Sequence, residues 1–397
     1  MAQPLPVLGA ADSARAPELR AELAEFRANV RRFMQQEIAP HTEKWERDGI
    51  VPLSAWRALG DAGLLCVDAP ERYGGTGADL RFSIVVLEEI SRVNAGGLAS
   101  GVSVHSDIIA PYVVHHGTED QKRHWIPKLV RGEVIGAIAM TEPGAGSDLQ
   151  AIRTTARRDG DDYVMDGQKT FITNGQNAGL VVTAAKTDPS QGARGTTLFL
   201  VDTSLPGYAR GRNLEKVGQH MADTSEIFFE GVRVPASQRL GAEGGGFAIL
   251  MNELPRERLV LSVTAVAAAE IALEWTRDYV QQRKAFGKPI AHFQNTRFEL
   301  AELHTETLVG RVFIDWCVDR LAEGRLDPVT AASAKLWTTD LQGRVTDRCL
   351  QLHGGYGYMS EYPISRAWAD ARVQRIYGGA NEIMKEIVSR SLLGRAD

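Results

Sequence analysis

The sequence predicts a mainly α-helical protein with a β domain in its middle. Three observations carry that expectation. Apolar residues recur at helical spacing up to about residue 133. Short β-runs between turn residues take over from Val134 to Val234. Gly244-Gly245-Gly246 then opens a second long helical block. Apolar spacing of about 3.6 residues marks an amphipathic helix, and alternation marks a half-buried strand. The expected layout is a flexible tail over 1–17, an N-terminal helical domain over 18–133, a middle antiparallel β domain over 134–240 and a C-terminal four-helix bundle domain over 241–397.

Taken in order, Leu19, Leu23, Phe26, Val30 and Phe33 predict a helix over 18–38, ended by Pro40. A helix over 53–62 ends near Gly63. The glycine-rich stretch Pro70–Gly77 follows no clear strand and is read as structural. Helices are expected over 79–94, 98–116 and 119–131. Gly117 reads as a C-cap, and Thr118 with Gln121 as a capping box. Strands are expected at Ile135–Met140, Thr154–Arg158, Tyr163–Lys169, Leu180–Thr187 and Thr196–Val201. Asp159-Gly160-Asp161 and Asp166-Gly167 read as hairpin turns, and Pro235 marks the exit. In the last block Leu259, Val263, Val266 and Ala267 lie at helical spacing, as do Ile271, Trp275 and Tyr279. A four-helix bundle is the economical reading.

The bulk numbers exclude several classes. The chain has 397 residues, 44% hydrophobic and 24% charged, which suits a globular protein of two or three domains. A net charge of −5 suggests no nucleic-acid partner. Cys66, Cys317 and Cys349 are far apart, with neither disulfide-scaffold nor zinc spacing. His115-His116 is the one close histidine pair. Adjacent helical residues point apart, so no metal site is expected. No secretory h-region and no apolar run of spanning length stands out, so a cytoplasmic protein without a membrane span is expected.

Four segments carry chemistry. Ile376-Tyr377-Gly378-Gly379-Ala380-Asn381-Glu382 offers bare backbone followed by a helix start whose free N–H groups face the same place. Gln351-Leu352-His353-Gly354-Gly355 and Arg283-Lys284-Ala285-Phe286-Gly287 precede it. Met140-Thr141-Glu142-Pro143-Gly144-Ala145-Gly146-Ser147 forms an open loop at a strand end, with exposed backbone donors. In this order and at these separations the four resemble the acyl-CoA dehydrogenase family of flavoproteins, over roughly residues 20–395.

The resemblance implies an FAD-dependent enzyme that removes an α-proton from an acyl-CoA and passes the β-hydride to the flavin, giving a trans-2-enoyl-CoA. It implies that Met140, Thr141, Gly146 and Ser147 line the flavin, and that Phe171, Ile172 and Thr173 pack on it. It implies that Arg283, Phe286, Gln294, Gln351, Leu352, Gly354 and Gly355 reach the FAD of a neighbouring subunit. Ala380, Asn381 and Glu382 also fall at cofactor positions, and Ser147, Arg258, Gly378 and Gly379 at substrate positions. A shared cofactor implies a homo-oligomer, expected to be a tetramer. The electron acceptor is expected to be an electron-transfer flavoprotein.

The base is the open question. Many relatives carry a Glu directly after Ile-Tyr, where this chain has Gly378. A subset resembling the long-chain and isovaleryl enzymes takes the base from Glu-Leu-Pro-Arg-Glu-Arg-Leu, here Glu253–Leu259. Glu257 matches that position, and Glu253, one turn earlier, is the rival. Phe171 stands where Trp is frequent, Ala380 where Thr is frequent, and Ala248 where relatives often have an aromatic. A medium-to-long or branched substrate is expected. The alternatives are an acyl-CoA oxidase or flavin monooxygenase on the same fold, and a non-catalytic acyl-CoA-binding protein.

Overall fold

The computed structural model describes residues 17–394, so the expected flexible tail, Pro17 excepted, lies outside the described residues. The N-terminal part comprises α1 (Pro17–Phe33), α2 (Thr42–Asp48), α3 (Leu53–Asp61), α4 (Leu80–Arg92), α5 (Gly96–Val102), α6 (Ala110–His116) and α7 (Glu119–Val130). After α1 the chain stays helical through a π-helical turn, Met34–Ile38, and a 3-10 turn, Ala39–His41. Pro40 therefore tightens the helix rather than ending it. The expected helix over 98–116 is one rod with a widened middle, because the π-helical stretch Ser103–Ile109 joins α5 to α6. His105 pins that stretch. Its Nε2 lies 3.0 Å from Leu129 O, and its Nδ1 accepts from Gly136 N at 3.0 Å. Burial pushes the ring's pKa down to about 4, so it stays neutral. Thr118 and Gln121 form the capping box that the sequence announces.

The middle domain is one eight-stranded sheet: β1 (Ile135–Ala139), β2 (Thr155–Asp159), β3 (Asp162–Thr173), β4 (Ala178–Lys186), β5 (Thr196–Asp202), β6 (Tyr208–Asn213), β7 (Thr224–Pro235) and β8 (Arg239–Leu240). The order is β6-β7-β3-β2-β4-β5-β8, with β1 also paired to β4. The sheet is not purely antiparallel. β1 runs parallel to β4 and β2 meets β4 in parallel at Thr155 and Lys186, because β1 enters from the helical domain and finds its partner only after the β2–β3 hairpin. Asp166-Gly167 is no hairpin turn either. Gly167 sits inside β3 at a bulge with φ 149°, where a Cβ would come 2.5 Å from Thr154 Oγ1 and 2.7 Å from its Cα.

The C-terminal part holds α8 (Gly246–Gln282), a short hairpin of β9 (Lys284–Ala285) and β10 (Lys288–Pro289), then α9 (Gln294–Ala322), α10 (Pro328–His353), α11 (Pro363–Ala371) and α12 (Asn381–Leu393). Contrary to expectation, α8 is long and apolar enough to span a membrane by length and composition. Yet 78% of its most apolar stretch is buried inside the protein, as befits a core helix. It earns that composition by serving two packing layers. Leu259, Val260, Val263 and Val266 join the apolar core of the N-terminal helices, while Ala269, Ala272 and Leu273 pack into the bundle with Leu303, Leu341 and Val345. Buried Arg311 of α9 ties the layers together through Glu88 of α4 and Glu270 of α8.

Candidate active site

Glu257 lies on α8, two residues after Pro255, and is 4% exposed. The Tyr112 hydroxyl of α6 donates to its Oε1 at 2.7 Å. Burial pushes the Glu257 carboxyl up to about 7. The Tyr112 hydrogen bond pulls it partly back, the charge of Glu253 adds to the rise, and Arg258 opposes it. A carboxylate of that pKa is matched to proton abstraction near neutral pH. Tyr112→Phe removes the stabilising donor, so the acidic limb of a pH–rate profile is expected to move above pH 7. An unmoved limb in stopped-flow measurements would place the titrating group elsewhere.

Glu253 has a different environment. Its Oε1 meets His115 Nδ1 at 2.9 Å and His116 Nε2 at 2.8 Å. Burial alone would raise its pKa, but the two imidazole contacts outweigh burial and hold it at about 2. A carboxylate held that low is the weaker base of the two, which favours Glu257. The expectation that the adjacent histidines diverge is wrong here. They occupy the last turn of α6, and both rings swing to the flank that packs on α8.

The loop Ile376–Ala380 comes down on α8. Gly378 has φ 63°, and a Cβ there would lie 2.2 Å from Leu261 Cδ1. Gly379 has φ 93°, and its Cβ would lie 2.7 Å from Met384 Cε and 4.0 Å from Arg258 Nη2. Fully buried Lys335 of α10 holds this loop by donating to Gly379 O and Asn381 Oδ1, both at 2.8 Å. Burial and the nearby Arg258 charge lower its pKa to about 8. Asn381 is committed inward, donating to Thr339 Oγ1 at 3.0 Å and Asp340 Oδ1 at 3.1 Å. Glu382 is exposed. Arg258 is buried, and its Nε has no hydrogen-bond partner among the described residues, so a polar ligand atom is what it lacks.

A second group forms at the end of β3. The Met140–Ser147 loop is braced from below, where buried Lys169 donates to Met140 O at 3.1 Å and to Glu142 Oε1 at 2.8 Å. Glu142 also accepts from Arg153 N and Thr154 N. Above it Gly144, Gly146 and Ser147 are exposed, and a Cβ on either glycine would meet nothing. The pairing of β3 with β7 shifts between Lys169 and Ile172, and Phe171 sits there with φ 60° and a ring 67% exposed. A left-handed backbone holding an aromatic outward is a strained arrangement typical of ligand contacts. Asn174 anchors this strand end to α5 by donating to Gly101 O at 2.9 Å. Ser100, next along α5, meets the Tyr377 hydroxyl at 3.1 Å. Both groups therefore border α5.

A pocket opens beside them. Ser100 and Gln219 on one wall and Thr264, Ala268 and Trp275 on another line it. Glu257 is not in its wall. Glu257, Leu261, Thr264, Ala268, Ile271 and Trp275 nevertheless form one stripe along α8, so the pocket lies on the same face of the helix as Glu257.

Arg283, Phe286, Gln294 and Gln351–Gly355 lie apart. The Arg283 guanidinium covers the Tyr356 ring at 5.2 Å, which brings the hairpin and the Gln351 segment together. Arg283, Gln294, Gln351, Gly354 and Gly355 are exposed, Phe286 is 95% exposed, and Leu352 is half-buried. The rise of α8 puts this cluster roughly 39 Å from Glu257.

The N-terminal, middle and C-terminal domain profiles of acyl-CoA dehydrogenase match residues 20–133, 137–232 and 244–393. The chain belongs to the acyl-CoA dehydrogenase family. It is 49% identical to the mitochondrial long-chain specific acyl-CoA dehydrogenase of Sus scrofa over 93% of this chain and 86% of that protein. The acyl-CoA dehydrogenase of Geobacillus kaustophilus superposes with a TM-score of 0.93, at 48% identity over 95% of this chain and all of that one. A Mycobacterium smegmatis glutaryl-CoA dehydrogenase in complex with FADH2 superposes with a TM-score of 0.89, at 29% identity over 95% of each chain.

In this acyl-CoA dehydrogenase family enzyme the structure brings the Gly378–Ala380 loop onto the Glu257–Leu261 turn of α8, with Tyr377 and the Met140–Ser147 and Phe171–Thr173 group meeting α5. It does not bring the Arg283 cluster to them within one chain. Sequence reasoning missed Tyr112, Lys335 and the Lys169–Glu142 pair. Tyr112 lies in a helix whose π-helical middle breaks the 3.6 spacing. Lys169 keeps the phase of buried Tyr163 and Met165 on β3, but a lysine gives an apolar alternation nothing to count, and its Glu142 partner lies on a distant loop.

Proposed function

We propose that this enzyme is an FAD-dependent acyl-CoA dehydrogenase that converts a medium-to-long or branched acyl-CoA to the trans-2-enoyl-CoA and hands electrons to an electron-transfer flavoprotein. The observation that carries the proposal is the buried carboxylate Glu257, which accepts from Tyr112, which burial pushes up to about 7, and which lies one turn of α8 from the Leu261 side chain under Gly378. The residues fit a flavin. An outward aromatic at Phe171, open backbone at Gly144 and Gly146 and the Thr141 and Thr173 hydroxyls offer a face and donors. When bound, the flavin supplies the acceptor for the β-hydride. Glu257 takes the α-proton at a carboxylate oxygen. The partnerless Arg258 Nε is available to the substrate, and the Lys335 contacts keep the Gly378–Gly379 backbone in place. The testing experiment is anaerobic flavin bleaching across straight, branched and aromatic acyl-CoAs. Lack of bleaching by all of them would defeat the proposal.

Two further readings belong to it. The pocket runs from Thr264 to Trp275, roughly 16 Å of helix, and supports longer chains. The kcat/KM series is expected to rise beyond butyryl-CoA, and a maximum at butyryl-CoA would be wrong for this pocket. The separation of the Arg283 cluster from Glu257 supports a homo-oligomer, taken to be a tetramer, in which that cluster serves a neighbour's cofactor. Arg283→Ala is expected to weaken both FAD retention and assembly. A stable, flavin-replete native monomer in light scattering would exclude the shared site.

A further inference from the structure

Beside the base, on the solvent side, three side chains from two helices converge on one point. His115 Nδ1, His116 Nε2 and a Glu253 carboxylate oxygen all lie within 4.8 Å of one another. We propose that His115, His116 and Glu253 form a site for a borderline divalent cation of the zinc class, with its fourth position open to water.

The donor set is two imidazoles and one carboxylate, which suits zinc among the common divalent ions. Ligand atoms of a tetrahedral zinc stand roughly 3.4 Å apart, given bond lengths near 2.0–2.2 Å. Both nitrogens already lie within 2.9 Å of Glu253 Oε1, so slight outward rotation of the rings makes room. His115 is nearly half exposed and gives the ion a route in, while Glu253 is buried and fixes the inner vertex. The charge balance points the same way. Among the described residues Glu253 pairs with no lysine or arginine, because neighbouring Arg256 is committed to Asp68 at 2.6 Å and Asp107 at 3.6 Å. Only the two imidazoles hydrogen-bond this buried carboxylate among the described residues, so a dication placed between the three would meet its charge directly. Binding needs no net proton release from neutral imidazoles. Each ring shifts its proton to the far nitrogen and turns a lone pair toward the metal. The bound ion would also cross-link the end of α6 to the start of α8.

The test uses tag-free, flavin-loaded enzyme stripped with chelator and dialysed against micromolar zinc. About one zinc per chain should be retained, with Tm rising with free zinc. Zinc-edge absorption should report nitrogen and oxygen ligands with imidazole outer shells. The His115→Ala/His116→Ala double variant should lose that zinc while keeping its flavin spectrum, and Glu253→Gln should lose it with both imidazoles intact. No zinc retained by the native enzyme, or equal zinc on the double variant, overturns the proposal. Neither result touches the flavin reading, since bleaching by acyl-CoA is measured without metal.

Discussion

Glu257→Gln is expected to lose about 10²–10⁴-fold in the rate of flavin bleaching, the usual cost of removing a general base. It should keep FAD and acyl-CoA binding, because neither needs the negative charge. The same substitution should make the protein more stable. The folded carboxyl titrates near 7 against an ordinary value of 4.5. Between those values the folded state holds a proton that the unfolded chain has lost, so stability falls as pH rises through that window. Above pH 7 the full cost is present, up to roughly 3 kcal/mol for a shift of this size. Glutamine carries no such cost and still accepts from Tyr112. Thermal unfolding at pH 8 should therefore show a higher Tm for Glu257→Gln, with the gain shrinking toward pH 5. A native bleaching rate, or a lower Tm at pH 8, contradicts the assignment. Glu253→Gln should slow bleaching far less.

Moving the carboxylate to the position that many relatives use should fail in this chain. Glu257→Gly with Gly378→Glu is expected to stay within about tenfold of Glu257→Gly alone, an effect below about 1.4 kcal/mol. The cause is local. Residue 378 has φ 63°, which costs a non-glycine side chain about 1–3 kcal/mol, and Leu261 Cδ1 stands 2.2 Å from the new Cβ. Adding Leu261→Ala clears the contact and should recover more than tenfold over the double variant. Recovery without that third change would mean that Leu261 yields freely and that the two positions are interchangeable.

Much of this site was legible in the sequence, through the resemblance more than through periodicity. Periodicity found most of the N-terminal helices, α8 and the first five strands, and left α9 and α10 unplaced inside an expected bundle. It passed over α2, a short polar helix behind Pro40, and β6, an edge strand of sequence Tyr-Ala-Arg-Gly-Arg-Asn with little to bury. It also missed that β1 reaches a parallel partner, since pairing across an intervening hairpin leaves no local trace. The two carboxylates of α8 could not be told apart from spacing, because they share a face. What separates them is the partner each meets on α6, one hydroxyl for Glu257 and two imidazoles for Glu253.

Those partners depend on a count. The π-helical stretch Ser103–Ile109 is wider than an α-helix and holds one more residue per turn or so than regular winding would. The wider winding absorbs that surplus, so the residues after it keep roughly the phase of an α-helical rod one residue shorter. Deleting a single residue there would let the rod close into plain α-helix and turn α6 by only roughly 30°, because each residue of the wider winding advances less than the 100° of an α-helix. Tyr112 would still face Glu257, and His115 and His116 would still face Glu253, whereas a deletion within α6 itself would turn all three away by roughly 100° per residue. For this chain a one-residue gap between Ser103 and Ile109 is therefore a lighter lesion than the same gap in the regular turns of α6, and sequences that differ by such a gap can keep the same partners for both carboxylates.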